Sequence, residues 1–168
     1  MEMFHIGDII VYSVHGLSRI DDICEKTYFD ETKLYYVLHP LDNTTLTIST
    51  PVDNEKVLML KMMNREQSKE ILQSFKQPGT DWIEEPRQRV RKYKETVHTG
   101  DRKEIAKIVN TMLRKSVELK QKEKKLYDQD QKILDSIKKI LFKELAMSLD
   151  TDAQEIAEQV NRMIVRYH

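Results

Sequence analysis

The sequence predicts an α+β protein of two domains, a small Tudor- or SH3-like β barrel followed by an all-α helical bundle. Three observations support this fold class. Short β-branched segments separated by turn residues fill residues 1–62, and from residue 65 the apolar residues follow a helical period instead. The sign of the charge also reverses along the chain. The predicted domains are therefore residues 1–62 and residues 65–168.

Five short strands are predicted in the first domain. Their segments are DIIVYSV, HGLSRIDDI, KLYYVLHPL, TTLTIST and KVLMLKM, and the connections FDET, LDN and PVDNE are typical of turns. We expect Gly7 and Gly16 where the backbone needs a positive φ or close packing. A barrel this small has room for its own side chains but not for a ligand, which indicates a binding module.

Amphipathic helices are predicted in the second domain. The first is REQSKEILQSFKQ, which ends at Pro78-Gly79, and the second begins near Glu85 with Pro86 in its first turn. The predicted N-terminal caps of the later helices are Asp101 with Glu104, then Asp128 or Asp130, then Thr151 with Gln154. Each helix has one apolar stripe, so we expect a packed bundle.

The charge is divided unevenly along a chain whose 28 basic and 28 acidic residues balance. Residues 1–64 hold 5 Lys/Arg and 10 Asp/Glu, a net charge of −5, whereas residues 82–125 hold 14 and 7, a net charge of +7. Surfaces of opposite sign indicate different partners, and the basic one should attract phosphate.

An enzyme is the least supported class, because the sequence contains no Walker loop, GxSxG, HExxH or GxGxxG motif. We therefore expect no catalytic residue, metal or cofactor and no small-molecule substrate, and His15 is interpreted as a turn residue. Cys24 is the single cysteine, and neither a signal peptide nor a membrane-spanning segment is evident. These features favour a soluble cytoplasmic protein without a membrane partner.

The segment GTDWIEEPRQRVRKYKE places the single tryptophan, Trp82, just before a run of cations. The cations are Arg87, Arg89, Arg91, Lys92 and Lys94. Such side chains can contact phosphates, and an indole beside them can stack on a base or wedge into a groove. Core packing explains Trp82 equally well. A protein-interaction adaptor without DNA contact and an RNA-binding accessory protein also remain open.

The opening FHIGDIIVYSVHGLSRIDDI resembles that of the CarD/CdnL-type bacterial transcription regulators, in which GD-x-V-V-Y-x-x-H-G begins a Tudor-like domain. The matching residues are Gly7, Asp8, Val11, Tyr12, His15 and Gly16. The second half is similar through Trp82, Arg91, Tyr93, Lys94, Thr99-Gly100-Asp101, IAKIVNTMLRK and KILFKELAMSLDT. In the family register the tryptophan falls on Pro86, four residues after Trp82, and a family arginine aligns with Ser49.

The resemblance implies a regulator of transcription initiation. The first domain would bind the β subunit of RNA polymerase, through Lys26, Leu46, Thr47, Ile48, Ser49 and Thr50. The second would contact promoter DNA in the minor groove near the −10 element, largely independent of sequence, through Trp82, Arg87, Arg89, Arg91 and Lys94. The implied effect is a shift between closed and open promoter complexes, and the implied location is the nucleoid, through the polymerase.

Overall fold

The computed structural model describes residues 3–12 and 16–167. His15, interpreted above as a turn residue, lies outside the described residues. The described chain divides into two units, one ending at Met62 and the other beginning at Met63.

The first unit is a five-stranded antiparallel sheet. Its strands are β1 (Ile9–Tyr12), β2 (Gly16–Tyr28), β3 (Glu31–Pro40), β4 (Ile48–Pro51) and β5 (Met59–Lys61). The spatial order is β4-β3-β2-β1-β5, so β4 and β5 lie at the edges. The core residues of this unit are Phe4, Ile10, Tyr12, Ile20, Tyr36 and Leu38. Every predicted strand segment thus contributes a strand.

The long strand β2 organises the sheet because it pairs with β1 and also with β3. Its register against β3 shifts between Ile20 and Asp22, where a bulge interrupts the alternation of buried and exposed side chains. The positive φ predicted for the two glycines is confirmed, at 92° for Gly7 and 71° for Gly16. The Gly7 amide donates to the Ile20 carbonyl oxygen at 2.8 Å and ties the N-terminal segment to β2.

The second unit is helical. Its helices are α1 (Arg65–Gln73), α2 (Pro86–Thr99), α3 (Arg102–Gln121), α4 (Asp128–Ser148) and α5 (Ala153–Arg166), with a 3₁₀ turn at Ser74–Lys76. Apolar side chains from all five α-helices and the 3₁₀ turn form one core, including Ile71, Phe75, Tyr93, Val109, Leu145 and Ile156. None of these described helices is both long and apolar enough to cross a membrane. The predicted fold class, a β unit followed by a helical one, is confirmed.

Two of the predicted helix starts are confirmed. Glu85 caps α2 ahead of Pro86, and its carboxylate accepts from the backbone amides of Arg87 and Gln88. Asp101 caps α3 and accepts from the amides of Lys103 and Glu104. Acidic caps of this kind satisfy amides that have no partner inside the helix.

The caps predicted for the last two helices are wrong. Tyr127 precedes α4 without a side-chain cap, and both predicted residues, Asp128 and Asp130, lie inside the first turn of the helix, where Asp130 is buried in the bundle. Asp152, one residue later than predicted, caps α5 and accepts from the Glu155 amide. The Thr151 amide donates to the Ala146 carbonyl, so Thr151 ends α4 and does not begin α5.

Glu144 joins three parts of the helical unit through one buried carboxylate. The residue is 2% exposed. Its Oε2 accepts from the Met63 amide at 2.9 Å and from Arg102 Nη2 at 2.8 Å, and its Oε1 accepts from Arg102 Nε at 3.2 Å. The first residue of the unit, the first residue of α3 and the C-terminal part of α4 are thereby connected.

We predict that Glu144→Gln destabilises the helical unit by about 3 kcal/mol, because breaking a buried ion pair leaves its partner charge uncompensated. The measurement is urea unfolding followed by the fluorescence of Trp82. Glu104→Gln is the matched control, since Glu104 pairs with Lys107 at the surface, and exposed pairs contribute less than about 1 kcal/mol. Equal losses in the two variants would contradict the prediction.

Candidate nucleic-acid interface

The segment between the 3₁₀ turn and α2 lies along α3 and carries Trp82. Asn110 Nδ2 donates to the Gln77 carbonyl oxygen at 2.9 Å. Three residues later, the Thr80 amide donates to Thr111 Oγ1 at 2.8 Å. Both contacts come from α3, which contributes much of the helical core, so they fix the course of the segment before it reaches Trp82.

Gly79 makes this course possible because its backbone lies directly against α3. A Cβ atom at residue 79 would lie 2.3 Å from Thr111 Oγ1 and 2.8 Å from Thr111 Cα. The second distance involves backbone, which cannot rotate away as a flexible side chain can. Only glycine therefore allows the segment to approach α3 so closely.

Arg89 is buried in the helical unit rather than exposed on its surface. The residue is 2% exposed, and its guanidinium forms two hydrogen bonds with Asp130, from Nε at 2.9 Å and from Nη2 at 2.5 Å. Its Nη1 donates to the Ile83 carbonyl oxygen at 2.7 Å. The hydrogen bonds to Asp130 raise the pKa of Arg89 against the opposing effect of burial. The predicted DNA contact of Arg89 is thus corrected, because the side chain is buried and each of its three guanidinium nitrogens already donates a hydrogen bond.

Trp82 is half-buried and packs against the core of the helical unit. The Arg89 guanidinium carbon lies 4.4 Å from the centroid of the indole, and Lys115 Nζ from α3 lies 5.5 Å from it. Both distances are in the range of cation–π attraction. Part of the ring thus packs as a core residue would, and part stays accessible beside a lysine.

Three of the predicted DNA-contacting cations form one exposed stripe on α2. Arg87, Arg91 and Lys94 are all exposed, and their spacing places them within about 60° of the helix circumference. Buried Arg89 and Tyr93 lie on the opposite side. Across residues 3–12 and 16–167 none of the three forms a salt bridge, so their charges face solvent. We call these three residues the basic stripe.

The residues predicted to contact polymerase gather at one edge of the sheet. Lys26 Nζ on β2 donates to Ser49 Oγ on β4 at 2.8 Å, reaching across β3. Leu46, Thr47 and Ser49 are exposed, and Ile48 is half-buried. Thr50 is only 4% exposed, so the predicted contact through its side chain is corrected.

Asp130 and Lys115 were not among the predicted site residues. The sequence predicts Asp130 only as a possible helix cap, and Lys115 is one of the basic residues behind the net positive charge of residues 82–125. The carboxylate that orients Arg89 lies 41 residues away along the chain. No local spacing signals such a pairing, because it depends on how α2 packs against α4.

Comparison with known proteins covers both units. The family model described as "CarD-like/TRCF RID domain" matches residues 4–63, and the one described as "CarD, C-terminal domain" matches residues 70–161. A protein of Bacillus subtilis (strain 168) named "Putative transcription factor YdeB" is 31% identical over 147 residues. This alignment covers 85% of the chain and 90% of the relative.

Tyr93 lies beside the Arg89–Asp130 pair, and its hydroxyl provides a test of whether this part of the bundle excludes water. The residue is 2% exposed, and its hydroxyl has no hydrogen-bond partner in the described part of the chain. Burial raises the pKa of Tyr93 from its ordinary 10 to about 12, although the nearby Arg89 charge opposes the rise.

We predict that Tyr93→Phe is as stable as the wild type at pH 7, or up to about 1 kcal/mol more stable, because a buried hydroxyl without a partner is removed. The folded state holds the tyrosine proton more tightly than the unfolded state. The contribution of the Tyr93 proton to wild-type stability is therefore fully present below pH 10 and is lost as the pH rises from 10 toward 12. This part of the decline is absent in the variant.

The measurement is urea unfolding of both proteins at several pH values between 7 and 11. Tyr127→Phe, at a ring that is 70% exposed, is the control and should follow the wild type. A loss of several kcal/mol in Tyr93→Phe at pH 7 would show that the hydroxyl has a partner after all.

Proposed function

The chain belongs to the CarD family of transcription regulators, and on that premise we propose that it binds RNA polymerase through its β unit and promoter DNA through its helical unit. The match of both family models agrees with the resemblance found in the sequence. The proposed effect is a shift from the closed toward the open promoter complex, without catalysis and largely without base-specific recognition. The protein would then be located at the nucleoid through the polymerase.

One observation carries the DNA part of the proposal: a partly accessible indole is held on a fixed segment immediately before the basic stripe. The stripe spans about 10 Å along α2, close to three base-pair steps at 3.4 Å per strand. Its three cations can therefore reach neighbouring phosphates of one strand. Contacts with phosphates position a protein without reading the sequence.

The proposed role of Trp82 is that of an apolar wedge at the edge of the melted region. Inserting a side chain between base pairs costs a few kcal/mol of stacking energy in intact duplex DNA. The cost is smaller where the bases are already unstacked. A wedge therefore binds the open complex more tightly than the closed one and shifts the equilibrium by that difference in affinity.

The polymerase part of the proposal uses strand β4 and the Lys26–Ser49 contact. Among the described strands β4 pairs only with β3, so the backbone groups along its other side would be available to a partner strand. Addition of a strand to an exposed edge is a common mode of protein recognition. The exposed side chains of Leu46, Thr47 and Ser49, together with the half-buried Lys26, would then supply specificity for the polymerase β subunit.

We predict that Trp82→Ala shortens the lifetime of the open promoter complex relative to the wild type while leaving polymerase binding intact. Trp82→Phe should retain part of the effect, because a smaller aromatic ring still inserts. The measurement is open-complex dissociation after addition of a competitor, with the cognate polymerase and each variant at saturating concentration.

Lys26→Glu is the complementary variant in this experiment. It should weaken polymerase binding but bind a nonspecific duplex like the wild type. If Trp82→Ala and the wild type prolong the open complex equally, the wedge is excluded. If neither the wild type nor Trp82→Ala affects the lifetime although both bind polymerase, the protein acts as an adaptor without DNA contact.

We also predict that replacing the basic stripe by glutamine (R87Q/R91Q/K94Q) weakens the dependence of duplex affinity on salt. Each lost phosphate contact reduces the slope of log K against log salt by about 0.9, so the triple variant should lose about 2.7. The measurement is fluorescence anisotropy of a labelled duplex over a salt series. K125Q/K132Q/K139Q removes the same charge from exposed positions outside α2 and should leave the slope unchanged. An equal loss of slope in both variants would indicate diffuse binding and contradict a role for the stripe.

A further inference from the structure

We infer that Asp130 is a positioning residue for Trp82, acting through the Arg89 guanidinium to hold the indole in the orientation that DNA insertion requires. This inference rests on the proposed function, because it assigns a role within the proposed wedge. Neither Asp130 nor Arg89 is placed to touch DNA, as both are 2% exposed.

The first step of the argument is the geometry of the ion pair. Both carboxylate oxygens of Asp130 accept from Arg89, Oδ1 from Nε at 2.9 Å and Oδ2 from Nη2 at 2.5 Å. A two-point contact between a carboxylate and a planar guanidinium fixes the plane as well as the position of the guanidinium. A lysine at position 89 could form neither constraint, because its ammonium group is a point charge.

The second step is that the same guanidinium meets Trp82 in two ways. Its remaining nitrogen, Nη1, donates to the carbonyl oxygen of Ile83, the residue that follows Trp82. Its carbon lies 4.4 Å from the centroid of the indole. One group thus holds both the backbone next to the tryptophan and the tryptophan ring, and Asp130 fixes that group.

The third step concerns why an ion pair occupies this place. Burial of two charges is costly, and replacing such a pair by apolar residues of similar volume is often neutral or even stabilising. Stability alone therefore does not account for Arg89 and Asp130. A wedge that is already oriented loses less conformational entropy when it binds, and this advantage does account for the pair.

The test uses the full-length double variant R89M/D130L, which removes both charges together and so leaves no buried charge unpaired. We expect cooperative urea unfolding and wild-type polymerase binding. Since Trp82 is the single tryptophan, its fluorescence reports its surroundings directly. We expect a shifted emission maximum, stronger quenching by acrylamide, and an open-complex lifetime reduced by the same factor as in Trp82→Ala. The salt slope of duplex binding should stay unchanged, because the basic stripe is intact.

Two further variants make the result decisive. Asp130→Asn keeps the shape of the side chain but weakens its hydrogen bonds with Arg89. It should change acrylamide quenching and open-complex lifetime in the same direction as the double variant. It is also the variant to use if the double variant does not fold. Asp135→Asn, an exposed aspartate of α4 that bonds to Gln131, should behave as the wild type.

The inference is overturned if a folded R89M/D130L or Asp130→Asn protein shows wild-type quenching and a wild-type open-complex lifetime. The pair would then be a structural contact only. Failure of the proposed function looks different: Trp82→Ala itself would leave the lifetime unchanged. In that case quenching in the free protein still decides whether Asp130 positions the indole.

Discussion

The segment that carries Trp82 is joined to the helical core through a buried ion pair between Arg89 and Asp130. Two charges removed from water must satisfy one another, and any partial separation leaves a buried charge without a partner. The pair therefore sets the approach of α2 to α4 within narrow limits. Because Arg89 also bonds to the Ile83 carbonyl oxygen, the same constraint extends to the segment that carries Trp82. The position of the candidate interface thus depends on a contact that is buried from solvent.

Other polar contacts in the helical unit follow the same principle. Glu144 binds the Met63 amide and Arg102, and Arg114 donates to Asn110, to the Phe75 carbonyl oxygen and to the Tyr167 carbonyl oxygen. Burial lowers the pKa of Arg114. Each of these groups connects an irregular stretch of chain to a helix. Apolar contacts supply most of the driving force for packing, while these directional bonds decide where the connecting segments lie.

The run of cations after Trp82 divides into two kinds of residue. Arg89 lies inside the bundle and stacks near the indole, whereas Arg87, Arg91 and Lys94 lie on the solvent side of α2. A helical period of 3.6 residues places residues two positions apart, such as Arg87 and Arg89, on nearly opposite faces. The proximity of one tryptophan to so many positive charges therefore has two causes, one in packing and one in the proposed binding of phosphate.

The sequence by itself determined the architecture, because strand alternation, turn residues, apolar stripes and the caps Glu85 and Asp101 are local signals that act within a few residues. It also indicated the family and located the region of the candidate interface. Only the tertiary structure decided that Arg89 and Thr50 are buried, that Asp130 faces inward instead of capping α4, and that Lys115 approaches Trp82. These outcomes depend on contacts between residues far apart in the chain, and burial changes the role of a charged side chain without changing the local pattern in which it occurs.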